Sequence, residues 1–351
     1  MNRGVKRDSK KVFVDAVQLA IALPLFVVAT MLLGQTPTHC ERDTGFHPAN
    51  PIADDWVFRK YVDEVHVLFT ASTNGKLVSD LLASDVRVLD DKKPAAAVLG
   101  FHNQHDLPLR IGLLIDTSGS VATRFEFEQA AAANFLAQTV RPSQDSAFVM
   151  GFSELPHMAQ NFTNNPGMLL RGLATLSDNQ GYTALFDAVV AACRKLLHHP
   201  EGQFVARTLV VVSDGDDNMS EASLQDAILV AQQAEVTVYT IAIDNEWATF
   251  GSPLGAQNLK QLAEQTGGRA FFAGSVGRLK AAFARASHEL RSRYAISYRP
   301  ADFTLDGRYR RIQITAKQSG RKLKVHSRKG YYATNLTSLP ATKGVTIRDD
   351  P

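Results

Sequence analysis

The sequence predicts an α/β protein: a doubly wound, mostly parallel sheet with a smaller all-β domain built from the segments that flank it. Three observations carry this. Between Leu109 and Arg293, short apolar runs alternate with amphipathic stretches of helical length, the pattern of a sheet covered by helices on both faces. On either side, at 61–103 and 294–333, apolar residues recur at every second position, as half-buried strands require. Finally, the run Leu109–Ile115 is apolar but for Arg110 near its start and ends in Asp116-Thr117-Ser118-Gly119-Ser120. An apolar run of this kind reads as a buried strand, and open α/β sheets place their ligands at the carboxyl ends of such strands.

Length and composition fit this plan. A chain of 351 residues accommodates one large domain plus a small one, or two medium ones. Hydrophobic residues make up 45% and charged residues 21%, enough to bury a real core. The formal net charge of +3 gives no global nucleic-acid signature, so no nucleic-acid partner is expected. The two cysteines do not make a disulfide framework. Cys193 falls in an apolar helix, where a buried thiol is the ordinary state. Cys40 falls in a linker, behind Thr38 and His39 rather than the small residues of a lipoprotein cleavage site.

In chain order, residues 1–11 form a basic region with Arg3, Lys6, Arg7, Lys10 and Lys11, and 12–34 an apolar stretch whose clean core is Leu19–Leu33. That core is short for a membrane-spanning helix of about 20 residues and reads as a signal peptide or a signal-anchor. The basic flank predicts a cytoplasmic amino terminus and an exported body, periplasmic or extracellular, anchored in the cytoplasmic membrane if the segment is uncleaved. Residues 35–60, with Pro37, Pro48 and Pro51, read as a linker.

The first part of the small β domain is 61–103: Val65, Val67 and Phe69 share a face, Asn74-Gly75 turns, and Val86 and Val88 alternate before an Asp90-Asp91 corner. The α/β domain is 107–293. Its strands are expected at 109–115, 146–152, 157–163, 207–213, 236–243 and 269–273, and its helices near 121–139, 167–175, 184–198, 221–233, 257–266 and 277–293. The short connection between the second and third strands predicts one antiparallel hairpin in the parallel order. The second part of the β domain is 294–333, with turns at Asp306-Gly307 and Ser319-Gly320, and 334–351 is a tail. Neither β segment has enough strands to stand alone, so the two are expected to pair.

The loop after the first α/β strand puts the oxygen-bearing side chains Asp116, Ser118 and Ser120 on alternate positions, a donor set that suits a hard cation such as Mg²⁺. This D-x-S-x-S loop resembles the metal-ion-dependent adhesion site of von Willebrand factor type A domains. The resemblance implies two further ligands. Gly181-Tyr182-Thr183-Ala184-Leu185-Phe186-Asp187 offers Thr183, and the strand Leu209–Ser213 ends in Asp214. Singly, Ser120 and Thr183 read as helix caps and Asp214-Gly215 as a turn; together and in order they favour a metal site. The resemblance implies a Rossmann-like fold with Mg²⁺ or Mn²⁺ at Asp116, Ser118, Ser120, Thr183 and Asp214. Ser118 and Ser120 would touch the ion directly, Thr183 in at least one state, and the two aspartates largely through water. The implied partner is a protein that supplies an Asp or Glu carboxylate. Val78–Val88 and Arg328-Lys329-Gly330-Tyr331-Tyr332 resemble the flanking signatures of an exported, von Willebrand factor A-related group of bacterial proteins frequent in Acidobacteria. That likeness spans about residues 60–333.

The alternative is a Mg²⁺-dependent phosphohydrolase on a similar sheet. Haloacid dehalogenase-type enzymes place a second Asp two residues after the nucleophile, and here Ser118 stands in that position. No G-x-x-x-x-G-K-[ST] phosphate loop and no G-x-S-x-G elbow occurs, so a binding module is expected and an enzyme is not. Elsewhere, His102, His105 and Asp106 lack further ligands nearby and read as solvated loop residues. His198-His199 suit a helix carboxyl end. Arg308–Lys329 holds nine Lys/Arg and no acidic residue, read as a solvated face of a hairpin.

Overall fold

A computed structural model describes residues 64–103, 107–179, 181–199, 201, 204–242, 253–273, 275–333 and 348–349. The basic region, the apolar segment, the linker, residues 104–106 and all of the tail except 348–349 lie outside the described residues.

The chain enters through five strands: β1 (Val65–Thr73), β2 (Lys76–Leu77), β3 (Val86–Asp90), β4 (Lys93–Pro94) and β5 (Ala97–Asn103). Asn74 and Gly75 both adopt positive φ, 49° and 77°, which is how a two-residue hairpin follows the strand twist. The α/β part then runs β6 (Leu109–Asp116), α1 (Phe125–Thr139), β7 (Ser146–Phe152), β8 (Pro156–Thr163), α2 (Pro166–Thr175), α3 (Leu185–His198), β9 (Ala206–Ser213), α4 (Leu224–Gln233), β10 (Thr237–Ala242), α5 (Pro253–Thr266), β11 (Ala270–Phe272) and α6 (Val276–Leu290). The chain leaves through β12 (Tyr294–Arg299), β13 (Tyr309–Gln318), β14 (Arg321–Lys322), β15 (Lys324–Ser327), β16 (Gly330–Tyr332) and β17 (Arg348–Asp349).

The central sheet has the order β11-β10-β9-β6-β7-β8-β17. It is parallel except where β8 runs antiparallel to β7. Side chains alternate across it as the strand period demands. Ile111, Leu113, Val210 and Val212 face α1, α2 and α6, whereas Leu114, Phe148, Leu209 and Val211 face α3, α4 and α5. Cys193 is fully buried in the second layer, and burial pushes its thiol up, so it is an inert packing residue.

The flanking segments pair with each other. One antiparallel sheet has the order β15-β1-β12-β5, with Val67 opposite Ile296; a second has β14-β13-β3-β4, with Ile314 opposite Val88. Val65, Phe69, Val86, Tyr294, Tyr298 and Ile312 share one apolar core between the sheets. Its polar keystone is Asp90, a buried carboxylate that accepts from Tyr298 Oη at 2.7 Å and Tyr331 Oη at 3.0 Å. The β layer and the α/β sheet belong to one compact unit.

Some elements begin later or end earlier than periodicity suggests. The first helix opens with a 3₁₀ turn, Gly119–Val121, and becomes α-helical only at Phe125. The delay has a cause: Arg124 reaches back to the Ser120 carbonyl at 3.3 Å. The fourth helix begins at Leu224 because Ser223 and Asp226 form a reciprocal capping box. The last helix stops at Leu290, where Arg291 reaches Asp145 and Thr139, and buried Arg293 donates to Thr208 Oγ1 at 2.7 Å. The basic hairpin is not one solvated face either. Arg310 pairs with Asp306 at 2.8 Å, and buried Arg328 donates to the His66 carbonyl at 2.7 Å and the Gln232 carbonyl at 3.3 Å.

Candidate functional site

β6 and β9 are neighbours in the sheet, in register through Ile115 and Val212. The helices after them leave on opposite faces, α1 with the first core layer and α4 with the second. Their carboxyl ends therefore diverge and open a crevice at a topological switch point. Asp116 ends β6, and Ser213-Asp214 ends β9, so both strands deliver a carboxylate to this crevice.

Three loops meet there. The first holds Asp116, Ser118 and Ser120. The Ser118 N–H donates to Asp116 Oδ1 at 2.9 Å, and the Ser118 and Ser120 hydroxyls lie 3.2 Å apart. The second holds Thr183 and is tied to the first through Gly119 N–H to the Gly181 carbonyl at 3.4 Å. The third begins at Asp214. Ser213 Oγ donates to Asp116 Oδ2 at 2.6 Å, joining the third loop to the first. Asn218 joins it to the second: its side chain accepts from the Thr183 N–H at 2.9 Å, and its own N–H donates to the Thr183 carbonyl at 3.0 Å. Gly215 sits at φ +87°, and a Cβ there would lie 2.2 Å from the Gly255 carbonyl oxygen, so no other residue fits after Asp214.

The five sequence-predicted residues thus occupy three mutually bonded loops. Asp116, Ser118 and Ser120 are in direct contact or one residue from it. Asp214 joins them through Arg124, whose guanidinium reaches Asp214 Oδ2 and the Ser120 carbonyl, each at 3.3 Å. Thr183 is buried and is tied in through its backbone, with no side-chain hydrogen bond to the other four among the described residues. Among the described residues no group of three or more His, Cys, Asp or Glu is placed to hold a metal; this donor set is hydroxyl-rich, with two carboxylates.

Behind the loops lies a charge network that the sequence reading missed. Arg124 also donates to Glu128 Oε1 at 3.0 Å, and Glu128 is fully buried with Oε2 unpartnered among the described residues. Burial pushes the Glu128 carboxyl up to about 8, against the pull of Arg124 and with repulsion from Asp116 and Asp214 adding to it. Burial likewise pushes Asp116 up to about 6; hydrogen bonds from Ser118 and Ser213 oppose this and repulsion from Asp214 adds to it. The available signal was an Arg and a Glu four apart at a helix start, which on an exposed helix is an ordinary surface pair. Asp187 and Asp217 were missed as well. Asp187 accepts the N–H groups of Glu221 at 3.0 Å and Ala222 at 2.9 Å, and Asp217 that of Phe186 at 2.9 Å. They brace the second and third loops.

An oxygen-only donor set fits a hard cation, and the two carboxylates that repel each other across the crevice would both be relieved by one. The rim carries exposed apolar side chains on the second and third loops, Tyr182 at 62% and Met219 at 51% exposed. Beside the first loop a cavity of about 350 Å³ opens, walled by Thr117, the β7–β8 turn and residues 175–179.

The family model of the von Willebrand factor type A domain matches residues 111–285. No curated protein matches the chain. Similar solved structures include conserved hypothetical protein BatB from Bacteroides thetaiotaomicron, 15% identical over 52% of this chain and 98% of that one, with a TM-score of 0.43. The vWF domain of the type V pili tip protein Mfa5 from Porphyromonas gingivalis is 13% identical over 52% and 95%, with a TM-score of 0.42. A von Willebrand factor type A protein from Catenulispora acidiphila is 14% identical over 79% and 75%, with a TM-score of 0.44.

Proposed function

We propose that this chain is a metal-dependent protein-binding module rather than an enzyme, a reading supported by the match of residues 111–285 to the von Willebrand factor type A domain. Its Mg²⁺ or Mn²⁺ would be held by Asp116, Ser118, Ser120, Thr183 and Asp214. The observation that carries the reading is the adjacency of β6 and β9, which brings Asp116 to Ser213-Asp214 at a switch point, on the loop where the Ser118 and Ser120 hydroxyls lie 3.2 Å apart.

The residues explain how such a site would bind. Serine and threonine hydroxyls are neutral ligands, so they hold a cation without cancelling its charge. Asp116 has one oxygen fixed by the Ser118 N–H and the other by the Ser213 hydroxyl. It is therefore locked in place, suited to orienting a water rather than swinging onto the ion. A bound divalent cation supplies an electrostatic anchor for a carboxylate of the partner, in a charge-assisted contact stronger than a neutral hydrogen bond. Tyr182 and Met219 on the rim offer apolar surface beside that contact.

Equilibrium titration of the purified full chain with Mn²⁺, followed by loss of the free-ion electron paramagnetic resonance signal, tests the metal. We expect one site per chain, displaced by Mg²⁺ and lost in Ser118→Ala. Equal Mn²⁺ binding by wild type and variant would refute it.

The module is proposed to act outside the cytoplasm, on the strength of the basic region followed by the apolar run Leu19–Leu33. Among the described residues no helix is long and apolar enough to cross a membrane. A reporter fused after Pro351 should be active only when exported; activity confined to the cytoplasm would overturn this placement.

A further inference from the structure

Arg124 stands where the candidate metal site meets the core. Its side chain is 7% exposed, and its three guanidinium nitrogens go to three different acceptors. Nε donates to Glu128 Oε1 at 3.0 Å, Nη1 to the Ser120 carbonyl at 3.3 Å and Nη2 to Asp214 Oδ2 at 3.3 Å. Among the described residues no other Lys or Arg forms an ion pair with Asp116, Asp214 or Glu128. One guanidinium therefore answers three carboxylates.

It answers them unevenly. Glu128 is fully buried, and its Oε2 has no hydrogen-bond partner among the described residues. An orphaned buried oxygen is costly, and a guanidinium that meets a carboxylate as a fork satisfies both of its oxygens. Arg124 meets Glu128 through Nε alone, because Nη2 is turned to Asp214. That second contact is the weaker of the two. Asp214 is 22% exposed, and 3.3 Å is longer than the usual range of about 2.7–3.2 Å. Glu128 thus offers a hydrogen bond that Arg124 does not take while Asp214 holds it.

Building on the metal-binding reading above, we propose that Arg124 is a built-in counter-cation that competes with the metal for Asp214, and that Glu128 is the seat to which it withdraws. A divalent ion carries twice the charge of a guanidinium and attracts the same carboxylate more strongly, so its entry would release Nη2. The freed Nη2 closes on Glu128 Oε2, and the orphaned oxygen gains its partner. Arg124 directly precedes α1 and bonds the Ser120 carbonyl, so its withdrawal would carry occupancy of the site to the start of that helix. Arg124 is then a residue that sets metal affinity and touches no partner.

The test compares Mn²⁺ titrations of the purified full chain for wild type, Glu128→Gln and Glu128→Gln/Arg124→Gln. They are run under argon at pH 8.5, where Glu128, pushed up to about 8 by burial, is ionised. The double variant avoids leaving a buried carboxylate unpaired, and a cooperative melt in EDTA checks that each variant is folded. Glu128→Gln removes the charged seat and keeps Arg124 on Asp214, so Mn²⁺ should bind roughly tenfold more weakly. Removing Arg124 as well should restore binding to the wild-type level or better. A pair that merely braces the loop would give the opposite, a double variant weaker than the single one.

The movement itself is read from the nuclear magnetic resonance signals of the Arg124 guanidinium, assigned by their loss in the double variant. Saturating Mg²⁺ should shift them in wild type and slow rotation about the Cζ–Nε bond, as two parallel bonds to one carboxylate require. Equal Mn²⁺ binding by wild type and Glu128→Gln, or a double variant that binds no better than the single one, overturns the Arg124 assignment and leaves the metal reading standing. So do Arg124 signals that ignore Mg²⁺ while Mn²⁺ binds. A wild type that binds no Mn²⁺ overturns both.

Discussion

Glu128 and Asp116 are carboxyls at the bottom of a crevice, and their burial has a consequence for pH. Each holds its proton more tightly when folded than when unfolded, Glu128 up to about 8 from an ordinary value of 4.5 and Asp116 up to about 6 from 3.8. Where the folded chain binds more protons than the unfolded one, stability falls as pH rises. The metal-free protein should therefore lose stability between pH 5 and 8, by on the order of a few kcal/mol, read as a melting temperature several degrees lower at the alkaline end. His66 works in the same direction: burial lowers its affinity for a proton, but Glu235 and Glu64 raise it above its ordinary value overall. The part that belongs to Glu128 is separable. Glu128→Gln keeps the shape and removes the charge, so its melting temperature at pH 8 should exceed that of wild type and its pH slope should be shallower. A variant with an unchanged slope would show that Glu128 is ionised at no such cost.

At the scale of elements, the β layer depends on one buried carboxylate that bridges the two distant segments of chain. Asp90 on β3 accepts from Tyr298 on β12 and Tyr331 on β16. Asp90→Ala leaves two buried hydroxyls without acceptors, a loss of about 2–4 kcal/mol, and chemical denaturation should show a lower midpoint with an unchanged slope. A variant as stable as wild type would contradict the keystone role. The pairing of 61–103 with 294–333 was legible because both alternated with too few strands to close a core. The roles of Asp90 and Arg328 were not. Asp90-Asp91 has the composition of a turn, and only folding brings Asp90 to two tyrosines more than two hundred residues away. Helix starts slipped for a similar reason: Arg124 delays α1 by bonding the loop before it, an interaction that periodicity does not encode.

For the whole molecule, the doubly wound, mostly parallel sheet was legible from strand–helix alternation; its strand order, which alternation does not encode, puts β6 beside β9 and so Asp116 beside Asp214's loop. The Arg124–Glu128 network behind the site was not legible, because a buried pair and a surface pair have the same spacing. Metal binding at the proposed site would be linked to the entire fold: a ligand that binds only the folded chain raises its stability by linkage, about 2.7 kcal/mol at a hundredfold excess over Kd. Ser118→Ala removes a hydroxyl from a loop rather than from the core, so the metal-free variant should melt close to wild type. The most direct test is the melting temperature of the full chain at neutral pH, in EDTA and in millimolar Mg²⁺ or Mn²⁺, for wild type and Ser118→Ala. A rise of several degrees with metal in wild type and none in the variant is the predicted result. A wild-type melt indifferent to both ions would mean that the Asp116–Ser120 loop is only a turn and a helix cap.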